Sequence, residues 1–363
     1  MSDARRGALA PRGPTWTPAN DAAGVHDMGH RGHNGYIMTT ILVLYSFSLS
    51  SFNNITMPEQ QATDSPRVST MDAAHRMDWD ILNIGYPQSS QKMIHLIDMD
   101  LHIFGLEEIA GSTRPIAVII LSHGWANKAR DMWPMASGLI GEANRLDTVG
   151  GRKRTRDVIV VTLDQRNHGD RRRVRTKVSF ETNAYRFGID MAMGLTGAKQ
   201  DHHFLMEFLE GHLFPSGDRQ VVEYMVAGFS MGGHVAWRLL REDDRIRIGV
   251  PICSLPSETL GRKLLNRELP PNSPPSHVPP VVERFFNTPS PPGTYAGKCI
   301  LAIHGGLDAV LPWTLGDDRW LEIAQEAKAA ERYVQPDAGH IVSQEMVRRT
   351  AEWLWRYGLT EEA

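Results

Sequence analysis

The chain has 363 residues, of which 41% are hydrophobic and 22% charged, with a formal net charge of -3; this is room for one large α/β domain or two ordinary ones, with a soluble globular composition. That charge excludes nucleic acid as the expected main partner, and the one basic run, "RRRVR" at 171–175, reads as solvated loop surface. Two cysteines, Cys253 and Cys299, exclude a disulfide framework and fit a reducing, cytoplasmic compartment, and neither C-x-x-C nor H-E-x-x-H occurs, so no zinc site is expected.

In chain order, residues 1–35 are rich in Gly, Ala, Pro, Arg and His without an apolar period, and read as a disordered tail. The apolar piece "YIMTTILVLYSFSLSSF" (36–52) follows, and 36–56 is set apart from a folded region spanning 57–363. Three readings of it stand side by side: a membrane or secretory anchor, sequence upstream of a true start at Met57, and a loosely packed helix. Asn54 heads an N-x-T sequon that matters only on a secretory route.

From about residue 90 the pattern alternates. "KMIHLIDM" and "DLHIFGL" predict a hairpin, and runs at 116–122, 158–163, 224–229, 246–253 and 299–305 predict buried strands. Between them "DMWPMASGLIGEANRL", "DHHFLMEFLEGHL", "GHVAWRLLRED" and "DRWLEIAQEAKAAERY" carry helical spacing. The resulting fold class is α/β, a mostly parallel sheet covered by helices on both faces. After the sixth strand, the proline-rich stretch 254–296 predicts a short cap over the strand ends.

"VAGFSMGGHVAW" places Ser230 between Gly228 and Gly232 on a strand-to-helix turn. Such a turn exposes the serine oxygen at the carboxyl edge of the sheet, where ligands bind in open α/β folds. By chance a chain this rich in glycine shows the pattern roughly 0.2 times, so the other residues decide. A serine hydroxyl needs a base oriented by a carboxylate. His340 in "DAGH" and Asp308 in "HGGLDAVLPW" fall at that same edge in the order Ser, Asp, His, whereas the rival acids Asp337 and Glu258 lack the offset from a strand end. Two amides would have to face an oxyanion; Met231, next after the serine, and Trp125, beyond His123 and Gly124 at the end of an early strand, are the candidates.

The stretches "SHGWANK", "TLDQRNHGD", "VAGFSMGGHVAW", "IHGGLDAVLPW" and "DAGH" together resemble the α/β-hydrolase superfamily over roughly residues 90–358, and the short insert and "HGGLD" turn are more similar to carboxylesterases and dienelactone-hydrolase-like enzymes than to long-lidded lipases. The resemblance implies a serine hydrolase of a carboxylic ester or related acyl compound. It needs no cofactor, and its partner is a small-molecule acyl substrate; thioester, lactone, amide and peptide cleavage and non-hydrolytic chemistry are the alternatives. It also implies that Asp164, Arg166 and His168 support active-site loops, with Asn167 standing where many members have glycine. Met132, Trp133, Phe285 and Phe286 fit substrate contacts and core or lid packing equally, and the arginines after His168 would favour an acidic substrate if they line the pocket rather than a solvated surface.

Overall fold

A computed structural model describes residues 77–125, 127–149, 151–173, 180–265 and 279–361. The tail, the 36–56 segment with Asn54, Met57, part of the basic run and the centre of the proline-rich stretch lie outside the described residues. Among the described residues no helix is long and apolar enough to cross a membrane.

The eight strands are β1 (Gln91–Leu96), β2 (Met99–Phe104), β3 (Ile116–Ser122), β4 (Asp157–Leu163), β5 (Val221–Phe229), β6 (Ile246–Ile252), β7 (Cys299–Gly305) and β8 (Ala329–Gln335). They form one sheet in the order β1-β2-β4-β3-β5-β6-β7-β8. Only β2 runs against its neighbours; from β4 across to β8 every pairing is parallel. β3, β4 and β7 are buried along their whole length because helices cover both faces, which is why they read as unbroken apolar runs.

Alternate residues of each strand point to opposite faces. Val118, Ile120, Val161 and Val226 join a core built from helices α2 (Phe180–Leu213), α3 (Met231–Glu242) and α6 (Asp317–Glu326). Ile119, Leu121, Val160 and Ala227 join the other, under α1 (Trp133–Val149) and α7 (Gln344–Leu354). After β6 come two short helices, α4 (Ser257–Leu265) and α5 (Pro280–Asn287), the latter with proline in its first turn, where its missing N–H costs nothing.

Two elements differ from the expected pattern. The span 318–333 is not one helix: α6 stops at Glu326, Ala327 is extended, and Ala329–Gln335 pairs parallel with β7. This edge strand is only half buried, so its alternation is weak, and pairing with β7 overrides the helix preference of Ala, Glu and Arg. α2 begins some twenty residues before the stretch whose spacing announced it. Glycines dilute its first half, one of them for a packing reason: a Cβ on Gly197 would stand 2.5 Å from the Arg166 side chain.

Buried histidines tie the stability of this fold to pH. His123, His234 and His304 are at most 4% exposed, and burial holds their pKa values down at about 3, 4 and 4. In the unfolded chain each takes a proton near pH 6.5, so between pH 6.5 and about 4 the unfolded state binds more protons and stability falls on acidification, by on the order of 1 kcal/mol per pH unit per histidine. A urea midpoint measured at pH 7 and at pH 4.5 is expected to drop between the two, and His304→Gln to drop less. An unchanged wild-type midpoint contradicts this.

Candidate active site

Ser230 occupies the single residue between the end of β5 and the start of α3, at φ 54 and ψ -113, a left-handed conformation that a non-glycine residue adopts only under restraint. Its N–H donates to the Ile252 carbonyl at 2.9 Å, and its own carbonyl accepts from His234 N–H at 2.9 Å, so both sides of the turn are held. The flanking glycines are required by close approach. A Cβ on Gly228 would lie 2.4 Å from the Gly232 backbone, and one on Gly232 would lie 2.1 Å from the Ser122 carbonyl oxygen. Neither obstacle is a flexible side chain. Gly232→Ala is therefore expected to cost about 3 kcal/mol or more by overpacking, read as a lowered urea midpoint or loss of soluble protein; a variant as stable as wild type contradicts the geometry.

His340 lies in the loop between β8 and α7. Ser343 caps that helix by accepting from Met346 N–H at 3.1 Å, which ends the loop three residues after His340. Its Nε2 is 2.9 Å from Ser230 Oγ and its Nδ1 is 2.8 Å from Asp308 Oδ2. Because an ionised carboxylate can only accept, Nδ1 carries the proton and donates, leaving Nε2 to accept from the serine hydroxyl.

Asp308 follows β7 by three residues, and its other oxygen accepts from the Val310 and Leu311 amides at 2.9 and 2.8 Å. Burial alone would raise this carboxyl, but the hydrogen bond and charge of His340, with those two amides, hold it below its ordinary value. The rival acids are engaged elsewhere. Asp337 accepts from Gln335 Nε2 at 3.1 Å, and Glu258 accepts from the Ser290 amide at 3.0 Å with Arg241 and Arg319 at 3.6 and 3.7 Å.

The backbone expected to face an oxyanion sits at the same edge. The last residue of β3, Ser122, is in register with Gly228; His123, Gly124 and Trp125 follow it, while Met231 opens α3 beside them. A Cβ on Gly124 would stand 2.8 Å from Asn127 Oδ1 and 3.0 Å from the Phe229 ring, so this turn too is built on a missing side chain. Buried His123 is neutral; its Nδ1 donates to the Gly124 carbonyl at 2.9 Å and its Nε2 accepts from Gln165 N–H at 3.0 Å.

The loop after β4 is organised around two carboxylates. Asp164 accepts from the Ala129 and Asp170 amides, each at 2.7 Å, and Arg166 and Arg171 hold Asp201 of α2 at 2.8 and 2.7 Å. His168 Nδ1 donates to the Arg166 carbonyl at 3.0 Å, and its ring lies 5.3 Å from that of Trp125. Asn167 has φ 61, the left-handed region that glycine fills elsewhere and asparagine tolerates better than other residues. Arg171 spends its charge on Asp201, which removes it from the set of arginines available to an acidic substrate.

Of the side chains read as substrate contacts or packing, Met132 and Trp133 belong to packing. Met132 is fully buried among Leu121, Leu139 and Phe104, and the Trp133 ring packs on His102 and Phe104 at 4.8 and 6.1 Å, because the helix starting here turns these side chains onto the sheet. Phe285 lies 4.2 Å beneath the Arg238 guanidinium, and Phe286 is buried in a cleft with Phe180, Phe187, Leu264 and Val282. The Trp125 ring meets Phe187 of α2 at 5.3 Å, a contact that no motif announced.

Cys253 was likewise invisible to motif reasoning. It directly follows β6 at φ 47, donates from Sγ to the Ile341 carbonyl at 3.3 Å, and is fully buried, which pushes its thiol up; the neighbouring Asp308 adds to this. Among the described residues, Cys253, Asp308 and His340 are the group whose ligand-type atoms converge, within 4.8 Å of one another. Both imidazole nitrogens already serve Ser230 and Asp308, a disposition suited to moving a proton.

The sequence pattern of the family described as "Alpha/beta hydrolase family" matches residues 119–353. TT1662 from Thermus thermophilus is similar in structure at a TM-score of 0.54 and 19% identity, over 74% of this chain and 98% of that one. An acylaminoacyl peptidase of Pyrococcus horikoshii is similar at a TM-score of 0.50 and 14% identity, over 77% of this chain but only 42% of the peptidase. The esterase Pf2001 of Pyrococcus furiosus aligns over 77% of this chain and 96% of its own at 18% identity, with a TM-score of 0.40. At these identities the likeness to TT1662 and the peptidase is one of fold. No curated protein matches the sequence.

Proposed function

Because the chain belongs to the alpha/beta hydrolase family, we propose that it is a serine hydrolase that cleaves a carboxylic ester or a related acyl compound through an acyl-enzyme on Ser230. The observation that carries this reading is the continuous hydrogen-bonded line from Ser230 Oγ through His340 to Asp308, at 2.9 and 2.8 Å, set on a strained turn.

The reaction follows from the proton positions. His340 Nε2, bare and aimed at the hydroxyl, takes the serine proton as Oγ attacks the substrate carbonyl. The imidazolium so formed is stabilised by Asp308, whose ionised form the protein already favours. Negative charge on the former carbonyl oxygen is met by the Met231 and Trp125 amides, the first helped by the N-terminal dipole of α3. His340 then protonates the leaving alcohol, and water, deprotonated by the same nitrogen, releases the acid and restores Ser230.

Substrate class is tested by turnover of p-nitrophenyl esters from acetate to decanoate, set beside lactones, thioesters and p-nitroanilides. The reading expects ester turnover to exceed anilide turnover. A preference for anilides moves the assignment to a peptidase or amidase, and no turnover of any acyl compound contradicts it.

A further inference from the structure

The loops after β3 and β4 share an anchor outside every motif. Asp201 and His202, consecutive on α2, are 5% and 1% exposed, and each reaches a different loop. His202 Nδ1 is 2.7 Å from the Ala198 carbonyl, one turn back on its own helix, and its Nε2 is 3.0 Å from Ser122 Oγ. A carbonyl cannot donate, so Nδ1 carries the proton and Nε2 accepts from the serine hydroxyl. Burial lowers the affinity of this ring for a second proton, which keeps the polarity of that bond fixed. Asp201 takes Arg166 on one oxygen and Arg171 on the other.

Ser122 is a sensitive point to hold. Its carbonyl forms the surface against which Gly232 packs without room for a Cβ, its Cα is in register with Gly228, and the chain beyond it leads in three residues to Trp125. The loop after β4 is in turn joined to the same segment through the Gln165 N–H bond to His123. α2 also packs on this segment directly, with the Phe187 ring against that of Trp125.

We propose that Asp201 and His202 are a positioning pair that sets the height of the Ser122–Trp125 backbone over the Met231 amide, and so tunes how well the site holds an oxyanion. The inference rests on the acyl-transfer reading above. Catalysis is sensitive to displacements of about 1 Å at such donors, which cost roughly 10²-fold. The pair acts through backbone placement, so its loss lowers kcat and leaves substrate binding nearly intact.

The test compares wild type with His202→Phe, Ser122→Ala, their double variant and the conservative His202→Gln, using a p-nitrophenyl ester and its thionoester analogue. Sulfur is a poor hydrogen-bond acceptor, so the oxo-to-thiono rate ratio reports on the oxyanion donors, and general destabilisation does not move it. His202→Phe and Ser122→Ala are expected to lower kcat on the ester by roughly 10- to 100-fold, with KM within about threefold and the oxo-to-thiono ratio falling by a similar factor. The double variant should be no worse than His202→Phe alone, and His202→Gln, which can still accept from Ser122, should recover part of the loss. Amide exchange over 122–125 and 165–171 should quicken in His202→Phe while that of α1 does not. A wild-type ratio in every variant, or losses that multiply in the double variant, overturns the proposal. Wild-type turnover that survives Ser230→Ala overturns the acyl-transfer reading instead, and the exchange rates then decide the positioning pair by themselves: unchanged exchange over 122–125 overturns it.

Discussion

Ser230→Ala is expected to lower kcat by about 10⁶-fold while leaving the urea midpoint within about 1 kcal/mol of wild type or above it. The large loss follows from how the three side chains act: without the hydroxyl, the base and the acid have nothing to activate, and what survives is the contribution of binding and of the oxyanion donors. The small stability effect follows from position. Among the described residues Ser230 Oγ bonds to His340 at 2.9 Å, and alanine keeps the Cβ that the strained turn already accommodates. The measurement is kcat on the best ester of the panel beside a denaturation curve of the same preparation. A variant that retains a tenth of wild-type activity, with fresh enzyme and no contaminating esterase, removes Ser230 from the mechanism.

Asp308→Asn is expected to cost about 10⁴-fold in kcat, less than loss of the serine but through a definable route. The Val310 and Leu311 amides donate to one carboxylate oxygen, so that position must remain an acceptor. The asparagine therefore turns its NH₂ toward His340 Nδ1, which must accept, and the proton moves to Nε2, where it faces Ser230 and cannot take the serine proton. Raising the pH recovers activity only as far as hydroxide replaces the missing base, so the log kcat of the variant should climb with pH above neutrality where wild type is level. Wild-type kcat in the variant would mean that the carboxylate does not orient the histidine.

Much of this was legible because the active edge of a parallel sheet is written in short motifs. The turn around Ser230, the glycines beside it and the runs that became β3, β4, β5, β6 and β7 are each dictated locally, by close backbone approach or by burial on both faces. The fold class and the superfamily were readable on that basis, and the sheet and the family match agree with them. β8 was not, since a half-exposed edge strand made of Ala, Glu and Arg takes its conformation from the neighbour it pairs with. The first half of α2 was hidden for the opposite reason: its glycines weaken helix propensity, and Gly197 is fixed by Arg166 from a distant part of the chain.

The same distinction separates the site residues. Ser230 and Asp308 stand just past strand ends, where offset from an apolar run places them, while His340 follows the half-exposed β8 and is marked only by "DAGH". Asp201 and His202 owe their roles to the way α2 lies across the loops after β3 and β4, a relation set only after the sheet has assembled, and Cys253, though it ends an apolar run, belongs to no motif. Met132 and Trp133 lie at the start of the stretch whose spacing reads as helix, and that helix turns both side chains onto the sheet and so into packing.

The central claim is that Ser230 is a nucleophile made reactive by His340 and Asp308. Its most direct test is labelling of the native protein with a fluorophosphonate, followed by peptide mapping of the adduct. The expected result is one adduct per chain, located on Ser230 and absent from the folded Ser230→Ala, with Asp308→Asn labelling far more slowly. Label on another residue, or native protein left unmodified under conditions that modify a known serine esterase, contradicts the account.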